Sequence, residues 1–321
     1  MSLRALVVGL GQIGMGYDMR HASEQFVLTH ARAFQTHPAF ELAGGVDPEP
    51  ARLKSFESEY ARPGYGDLVT ALTYLQPEVV AIATPTALHH RTLSAVLDVC
   101  NPKAILCEKP LAYDIEQAVA MVEACEAAGI MLYVNYMRRS DRGVAEIKQR
   151  VRDGRIAQPI KGVCWYSKGL LNNGSHFLNL LQHWLGEVTG FEVVSQGRLW
   201  NDIDPEPDVK VSFDLGTVFF LAAREEDYSH YTIELISGNG RMRYEQGGSQ
   251  ILWQPVINDP ACEGYRILQP MAETVASDLD RIQWQVADQL AASLGGQEAR
   301  ICSGRDAMHT LEILDRIWKN L

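Results

Sequence analysis

The sequence has no Cys-x-x-Cys pair. Its six cysteines, Cys100, Cys107, Cys125, Cys164, Cys262 and Cys302, are scattered along 321 residues. That spacing speaks against a thiolate zinc site and suits reduced thiols in a cytosolic protein. Excess positive charge is missing too. The formal net charge is −11, which argues against nucleic acid as a partner, because binding a phosphate backbone needs clustered cations. Anionic small molecules stay open, since local arginines and helix ends can meet them. The apolar stretch "LRALVVGLG" at the start is too short to span a bilayer. It also lacks the basic start and small-residue cleavage site of a leader peptide. A soluble cytoplasmic protein with no membrane partner is expected. Low-complexity tracts and clear internal repeats are absent as well. What is present is an ordinary globular composition, 46% hydrophobic and 21% charged, in a chain long enough for two packed domains.

Over the first 135 or so residues, short β-rich runs alternate with helical patterns. The runs "RALVVGL", "FELAGGVD", "VVAIATP", "AILCEKP" and "MLYVNY" read as strands. Segments such as "PARLKSFESEYA", "ALHHRTLSAVLDVC" and "DIEQAVAMVEACEAAG" lie between them as helices. This rhythm predicts right-handed crossovers and a doubly wound parallel sheet over residues 1–135. Residues 136–321 read as a second, α+β domain. It holds one helix at 174–186 and then longer alternating strands. In "VKVSFDL", Val209, Val211 and Phe213 face one way while Lys210, Ser212 and Asp214 face the other. That alternation predicts an open, mainly antiparallel sheet with one covered face. The final helices, around "DLDRIQWQVADQLAASLGG" and "GRDAMHTLEILDRIWKNL", are candidates to pack back on the first domain.

The loop "VVGLGQIG" follows the first strand and carries Gly9, Gly11, Gln12, Ile13 and Gly14 in a Gly-x-Gly-x-x-Gly pattern. Glycine is needed there for a tight turn, for close approach of backbone to a pyrophosphate, and for close helix–strand packing. Asp47, in "GGVDPEP", is the expected acidic partner of an adenosine ribose. It favours NAD, because a carboxylate repels a 2′-phosphate; Arg52, one turn further on, keeps NADP open. Asp47 lies farther from the loop than usual, so an insertion of about a dozen residues is expected before the helix resumes at "HARAFQTH". The insertion carries Tyr17, Asp18, Arg20 and His21, and reads either as a surface loop or as a cover for the ligand.

Two further strands end in "ATPTALHH" and "CEKP", where ligands of doubly wound sheets bind. A lysine at such a place can polarise a carbonyl or lower the pKa of a hydroxyl. With "YVNYMRRS", a "GSH" before an amphipathic helix and "SGRDAMHTLEIL", the chain resembles the glucose–fructose oxidoreductase, inositol dehydrogenase and rhizopine-catabolism (Gfo/Idh/MocA) family. The resemblance covers nearly the whole chain and implies a Rossmann domain followed by an α/β domain with an open sheet. One side of that sheet would serve the substrate and the other an oligomer interface, giving a homodimer or homotetramer. It further implies NAD(H) or NADP(H) as cofactor and a sugar, polyol or nucleotide sugar as substrate.

Carried over by position, the resemblance makes Lys109 the catalytic lysine, Glu108 its companion, and Pro110 a neighbour of the nicotinamide. Thr84, Pro85 and His89 would line the nicotinamide ribose, and Asn135, Tyr136 and Arg139 would reach toward the substrate. His176 matches the family's general base or proton relay. Around it the family often has Asp-x-Gly-x-His with a second Asp three residues on. Here the equivalents are Asn172 and Asn179, amides that can hold a sugar hydroxyl but cannot accept a proton at neutral pH. The plainer alternative is a helix whose first turn happens to carry a polar His176, with Asn173 or Ser175 as its cap. Just upstream, Tyr166 and Lys168, with Trp165, suit a sugar bearing an anionic group. No metal site is expected: His183 follows His176 on nearly the same face, but no acidic cluster stands nearby in sequence.

Three functions fit these residues. The first is an oxidoreductase moving a hydride between nicotinamide and a secondary alcohol or ketone of a sugar. The second is a redox-assisted glycosidase that regenerates its NAD each cycle. The third is a non-catalytic sugar or nucleotide sensor, to which the intact "CEKP" is opposed.

Overall fold

The computed structural model describes residues 2–20 and 25–321; His21 and the side chain of Arg20 lie outside the described residues. The backbone divides into two compact units. One joins Met1–Ser140 to Asp280–His309, and the other joins Asp141–Leu279 to Thr310–Leu321.

The first unit is built on six strands: β1 (Leu3–Val8), β2 (Phe40–Val46), β3 (Gly64–Tyr65), β4 (Val79–Ile82), β5 (Ala104–Cys107) and β6 (Met131–Val134). They lie in the order β3-β2-β1-β4-β5-β6 and all pair in parallel. A two-residue strand, Cys302–Ser303, adds antiparallel to β6. The strand runs are nearly all apolar because both faces are covered, and every residue of β4 and β5 is buried. Fully burying each Ile, Leu or Val there contributes about 1.5–3 kcal/mol.

The α-helices begin, in chain order, with α1 (His30–Thr36), α2 (Pro50–Tyr60), α3 (Leu68–Leu75), α4 (His89–Val99) and α5 (Ile115–Ala127). Then come α6 (Arg142–Arg152), α7 (Ser175–Leu185), α8 (Ile282–Leu294) and α9 (Gly304–Trp318). Side chains start several of them: Thr29, Asp67 and Asp114 each accept a backbone N–H of the first turn. β3 and α3 are absent from the sequence reading, since two residues of strand carry no alternation to detect.

The strand order reverses at β1, which lies between β2 and β4. Loops leaving the carboxyl ends of β1 and β4 therefore part, opening the crevice in which doubly wound sheets bind ligands. The C-terminal return packs into this unit: Val286, Ala287 and Leu290 of α8 are buried in the same core as Phe34 and Phe40.

The second unit holds β7 (Ile160–Tyr166), β8 (Val188–Trp200), β9 (Asp204–Phe213), β10 (Gly216–Ala222), β11 (Thr232–Ser237), β12 (Gly240–Glu245), β13 (Gln250–Asn258), β14 (Arg266–Leu268) and β15 (Glu273–Val275). The sheet order is β14-β13-β12-β11-β7-β10-β9-β8, with β15 on β13. Every pair is antiparallel except β10 with β7. Val209, Val211 and Phe213 are buried while Lys210 and Ser212 are only partly covered, as the alternation requires. α7 lies on the covered face, where Trp184 meets Tyr244 edge-on at 5.8 Å and Phe177 stacks on Tyr231 at 6.1 Å. Among the described residues, no helix is long and apolar enough to cross a membrane.

Candidate functional site

The three loop glycines divide the work that the motif asks of them. Gly9 has φ +97°, and a Cβ there would stand 2.6 Å from the Ala83 carbonyl oxygen. Gly14 packs so closely that a Cβ would stand 2.0 Å from the Gly9 oxygen. Gly11 differs: its Cβ would meet nothing within 4 Å. Its backbone is open to a ligand, while the outer two glycines let the turn close on β1 and β4. The helix that follows is interrupted. Gln12–Gly16 forms one π-helical turn, and the α-helix resumes only at His30. The ends of the inserted segment are pinned by Asp18, which is fully buried. Its carboxylate accepts the Leu28 N–H at 2.9 Å and the Thr29 hydroxyl at 2.5 Å.

Asp47 follows β2 and is 2% exposed. It accepts the Leu10 N–H at 2.9 Å and the Glu49 N–H at 2.9 Å, so it ties the glycine loop to the end of β2. The Arg52 guanidinium stands 3.2 Å from the same carboxylate. Thr84, after β4, has a buried hydroxyl oxygen with no hydrogen-bond partner among the described residues. His89 is fully buried and bridges the two loops beyond β4 and β5. Its ring nitrogens face the Thr84 carbonyl at 2.9 Å and those of Pro110 and Leu111 at 3.1 and 3.2 Å. Burial pushes this imidazole below its ordinary pKa, against the pull of the carbonyls. His89 therefore fixes the geometry of both loops. An open Gly11 backbone, an orphaned Thr84 hydroxyl and a carboxylate closing β2 together fit an adenine dinucleotide.

Glu108 and Lys109 follow β5. One Glu108 oxygen takes His30 Nε2 at 2.8 Å and Asn135 Nδ2 at 2.6 Å; the other accepts the Lys109 N–H at 3.3 Å. Burial would raise this carboxyl's pKa. The His30 hydrogen bond and charge, the Asn135 amide and the nearby Lys109 ammonium outweigh it, holding Glu108 below the ordinary carboxylate range. Asn135 is thereby a buried partner of Glu108 and not a surface group. Tyr136 beside it is 3% exposed. Arg139 turns to Asp306 at 3.0 Å.

In the second unit, His176 occupies the first turn of α7 and is 6% exposed. The expected side-chain cap is not there. Gly174 holds the cap position, and Gly169–Gly174 forms a π-helical turn that runs into α7. Asn179 is 1% exposed, and its Nδ2 donates to Thr310 at 3.0 Å. Tyr166 lies in the core at 0% exposure and donates its hydroxyl to the Pro207 carbonyl at 2.6 Å. Its ring is enclosed, so it reaches no open surface of the chain. Lys168 has a left-handed backbone, and its ammonium pairs with Glu225 at 2.9 Å.

The turn carrying Asn172 is held by acids that the sequence reading passed over. Asp204 accepts the Leu171 and Asn172 N–H groups at 3.0 and 2.9 Å, and Glu206 accepts the Gly169 N–H at 3.1 Å. "DPEPD" was the available signal, an acid at every second position of a strand. His183 meets Lys148 at 3.2 Å. Among the described residues, no group of three or more His, Cys, Asp or Glu is arranged to hold a metal.

Strand order and glycine loop define a dinucleotide-binding α/β protein of the Rossmann type. Residues 3–136 match the model of the oxidoreductase family with an NAD-binding Rossmann fold (GFO_IDH_MocA). A D-apiose dehydrogenase of Paraburkholderia graminis is 29% identical over 194 residues, 60% of this chain and 49% of that protein. An inositol 2-dehydrogenase of Mycolicibacterium smegmatis is 34% identical over 161 residues, 49% of this chain and 42% of that one. The chain spans about half the length of the curated relatives it matches. Among solved structures, the WlbA dehydrogenase of Bordetella pertussis, in complex with NADH and UDP-GlcNAcA, superimposes with a TM-score of 0.77 at 17% identity. That match covers 99% of this chain and 95% of the other, and at such identity it speaks for the fold alone.

Proposed function

We propose that the protein is a nicotinamide-dependent oxidoreductase acting on a secondary alcohol or ketone of a sugar, polyol or nucleotide sugar. The observation that carries this is the Glu108–Lys109 pair, held on a buried polar network after β5, in the same unit as an open Gly11 backbone. Gly9, Gly11, Gln12, Ile13 and Gly14 would hold the pyrophosphate, and Asp47 the adenosine ribose. Thr84 and Pro85, with Pro110, would bound the nicotinamide half. Bound nicotinamide supplies the hydride chemistry. Lys109 holds or moves the proton at the substrate oxygen, and His176 is assigned a proton-relay role by its match to the family motif. Asn172, Tyr136 and Lys168 are assigned to substrate. NAD is assigned over NADP because the Asp47 carboxylate, closing β2, opposes a 2′-phosphate.

The partly open face of the second unit's sheet carries Val163, Trp165, Phe219, Leu221 and Ile236. Around them stand the ion pairs Arg241–Glu234 and Lys210–Glu192. An apolar centre ringed by charge suits a second copy of the chain, so a homo-oligomer is proposed. Among the described residues the six cysteines form no disulfide, which favours the cytoplasm.

The test is Lys109→Ala. Calorimetry should show NAD+ binding unchanged, while turnover on a panel of sugars and polyols falls by roughly two to four orders of magnitude. Near-normal turnover in the variant would end the assignment.

A further inference from the structure

We propose that His30 and Gln283 are positioning residues for Lys109, acting through Glu108. The inference deepens the reading above and rests on it for the reaction, though not for the geometry.

His30 is the first residue of α1, at the point where the inserted segment ends. It is 1% exposed and stands 2.8 Å from Glu108. Gln283, at the start of α8 and 1% exposed, takes the Asn135 amide on its Oε1 at 3.3 Å. Its backbone N–H donates to the Val27 carbonyl at 3.1 Å. The segment is also pinned from its other side, where Asp18 holds Leu28 and Thr29. One connected set of hydrogen bonds thus runs from the end of the insertion to the residue beside the lysine. A surface loop with no stake in the site would need none of these buried partners.

The chemistry gives the network a purpose. A buried carboxylate without donors would protonate, and a neutral Glu108 would no longer stabilise the ammonium of its neighbour. With His30 and Asn135 donating, Glu108 stays anionic and its second oxygen holds the Lys109 backbone. His89 and Cys107 also lie close enough to sense the Glu108 charge. The hydrogen-bond donors to its first oxygen come from His30 and Asn135. The insertion therefore sets the position of α1, and α1 sets the charge beside the lysine.

The experiment compares His30→Leu, which removes the donor, with His30→Gln, whose amide N–H can replace Nε2–H. Two readouts are taken on each folded variant. The first is kcat against KM. His30→Leu should lose roughly ten- to a hundredfold in kcat with KM for NAD+ nearly unchanged, and His30→Gln should recover most of it. The second needs no turnover: the pH dependence of amine labelling at Lys109, followed by mass spectrometry. His30→Leu should make Lys109 react at lower pH than in the wild type, and His30→Gln should restore the wild-type profile. An unchanged labelling profile in His30→Leu overturns the proposal, as does equal loss in both variants accompanied only by a lower Tm. Should the wild type turn over no sugar while the labelling shift appears, the positioning role stands and the dehydrogenase reading falls instead.

Discussion

Replacing Asp204 with alanine removes the anchor of the turn that leads into His176. Its carboxylate receives two backbone N–H groups, Leu171 at 3.0 Å and Asn172 at 2.9 Å, and the residue is 7% exposed. Each buried N–H left without an acceptor costs about 1–3 kcal/mol, so the pair sets a ceiling of about 6 kcal/mol. Some of that is returned. Burial raises the Asp204 pKa, so the native carboxylate already carries a desolvation cost that alanine lacks. A net loss of about 2–4 kcal/mol is expected, which for a unit of this size lowers Tm by roughly 5–15 °C. Asp204→Asn keeps one acceptor and should lose about half as much. Calorimetry gives Tm, and amide hydrogen exchange reads the turn directly. In Asp204→Ala the Leu171 and Asn172 amides should lose their protection, while NAD+ binding, a property assigned to the other unit, stays as it was. Unchanged protection at these two amides, with Tm within a degree or so of wild type, would refute the assignment of Asp204 as the anchor.

The glycine loop offers a paired test. Gly11→Ala meets no atom within 4 Å and has φ −72°, so its stability should stay within about 0.5 kcal/mol of wild type. Calorimetry should nonetheless show NAD+ affinity reduced at least about tenfold, a loss of about 1.4 kcal/mol. Gly14→Ala, whose Cβ would stand 2.0 Å from the Gly9 oxygen, should lower Tm as well. Glu225 supplies a pH prediction. Burial alone would raise its pKa, yet donors from Ser229, Tyr231, Lys168 and Ser167 hold it at about 2. A depressed carboxylate stabilises above its unfolded pKa and loses that contribution as pH falls through the folded one. The stability gap between wild type and Glu225→Gln should therefore be on the order of 1–2 kcal/mol near neutrality, after allowance for solvent screening. Denaturant titrations should show it closing between the ordinary glutamate pKa and about pH 2; a gap constant across that range would contradict the cause given.

By itself the sequence determined the local patterns and their order. Buried parallel strands need unbroken apolar runs, so "VVAI" and "AILC" announced β4 and β5 without reference to anything distant. Alternation in "VKVSFDL" announced a half-covered antiparallel strand for the same local reason. Gly9, Gly11 and Gly14 were legible because the demand for glycine arises from neighbours a few residues away. What only the tertiary structure decided are the partners of polar side chains. Asn179 reads as a ligand contact until the Thr310 hydroxyl is seen against it, 131 residues on. Tyr166 reads as a pocket aromatic until the Pro207 carbonyl takes its hydroxyl. His30 reads as the mere start of a helix until Glu108, 78 residues away, closes on its ring. Hydrogen bonds are short and directional, so a polar residue's role is set by which atoms the fold brings within about 3 Å. Periodicity along the chain carries no record of that meeting, whereas the sorting of apolar from polar faces is written into it residue by residue.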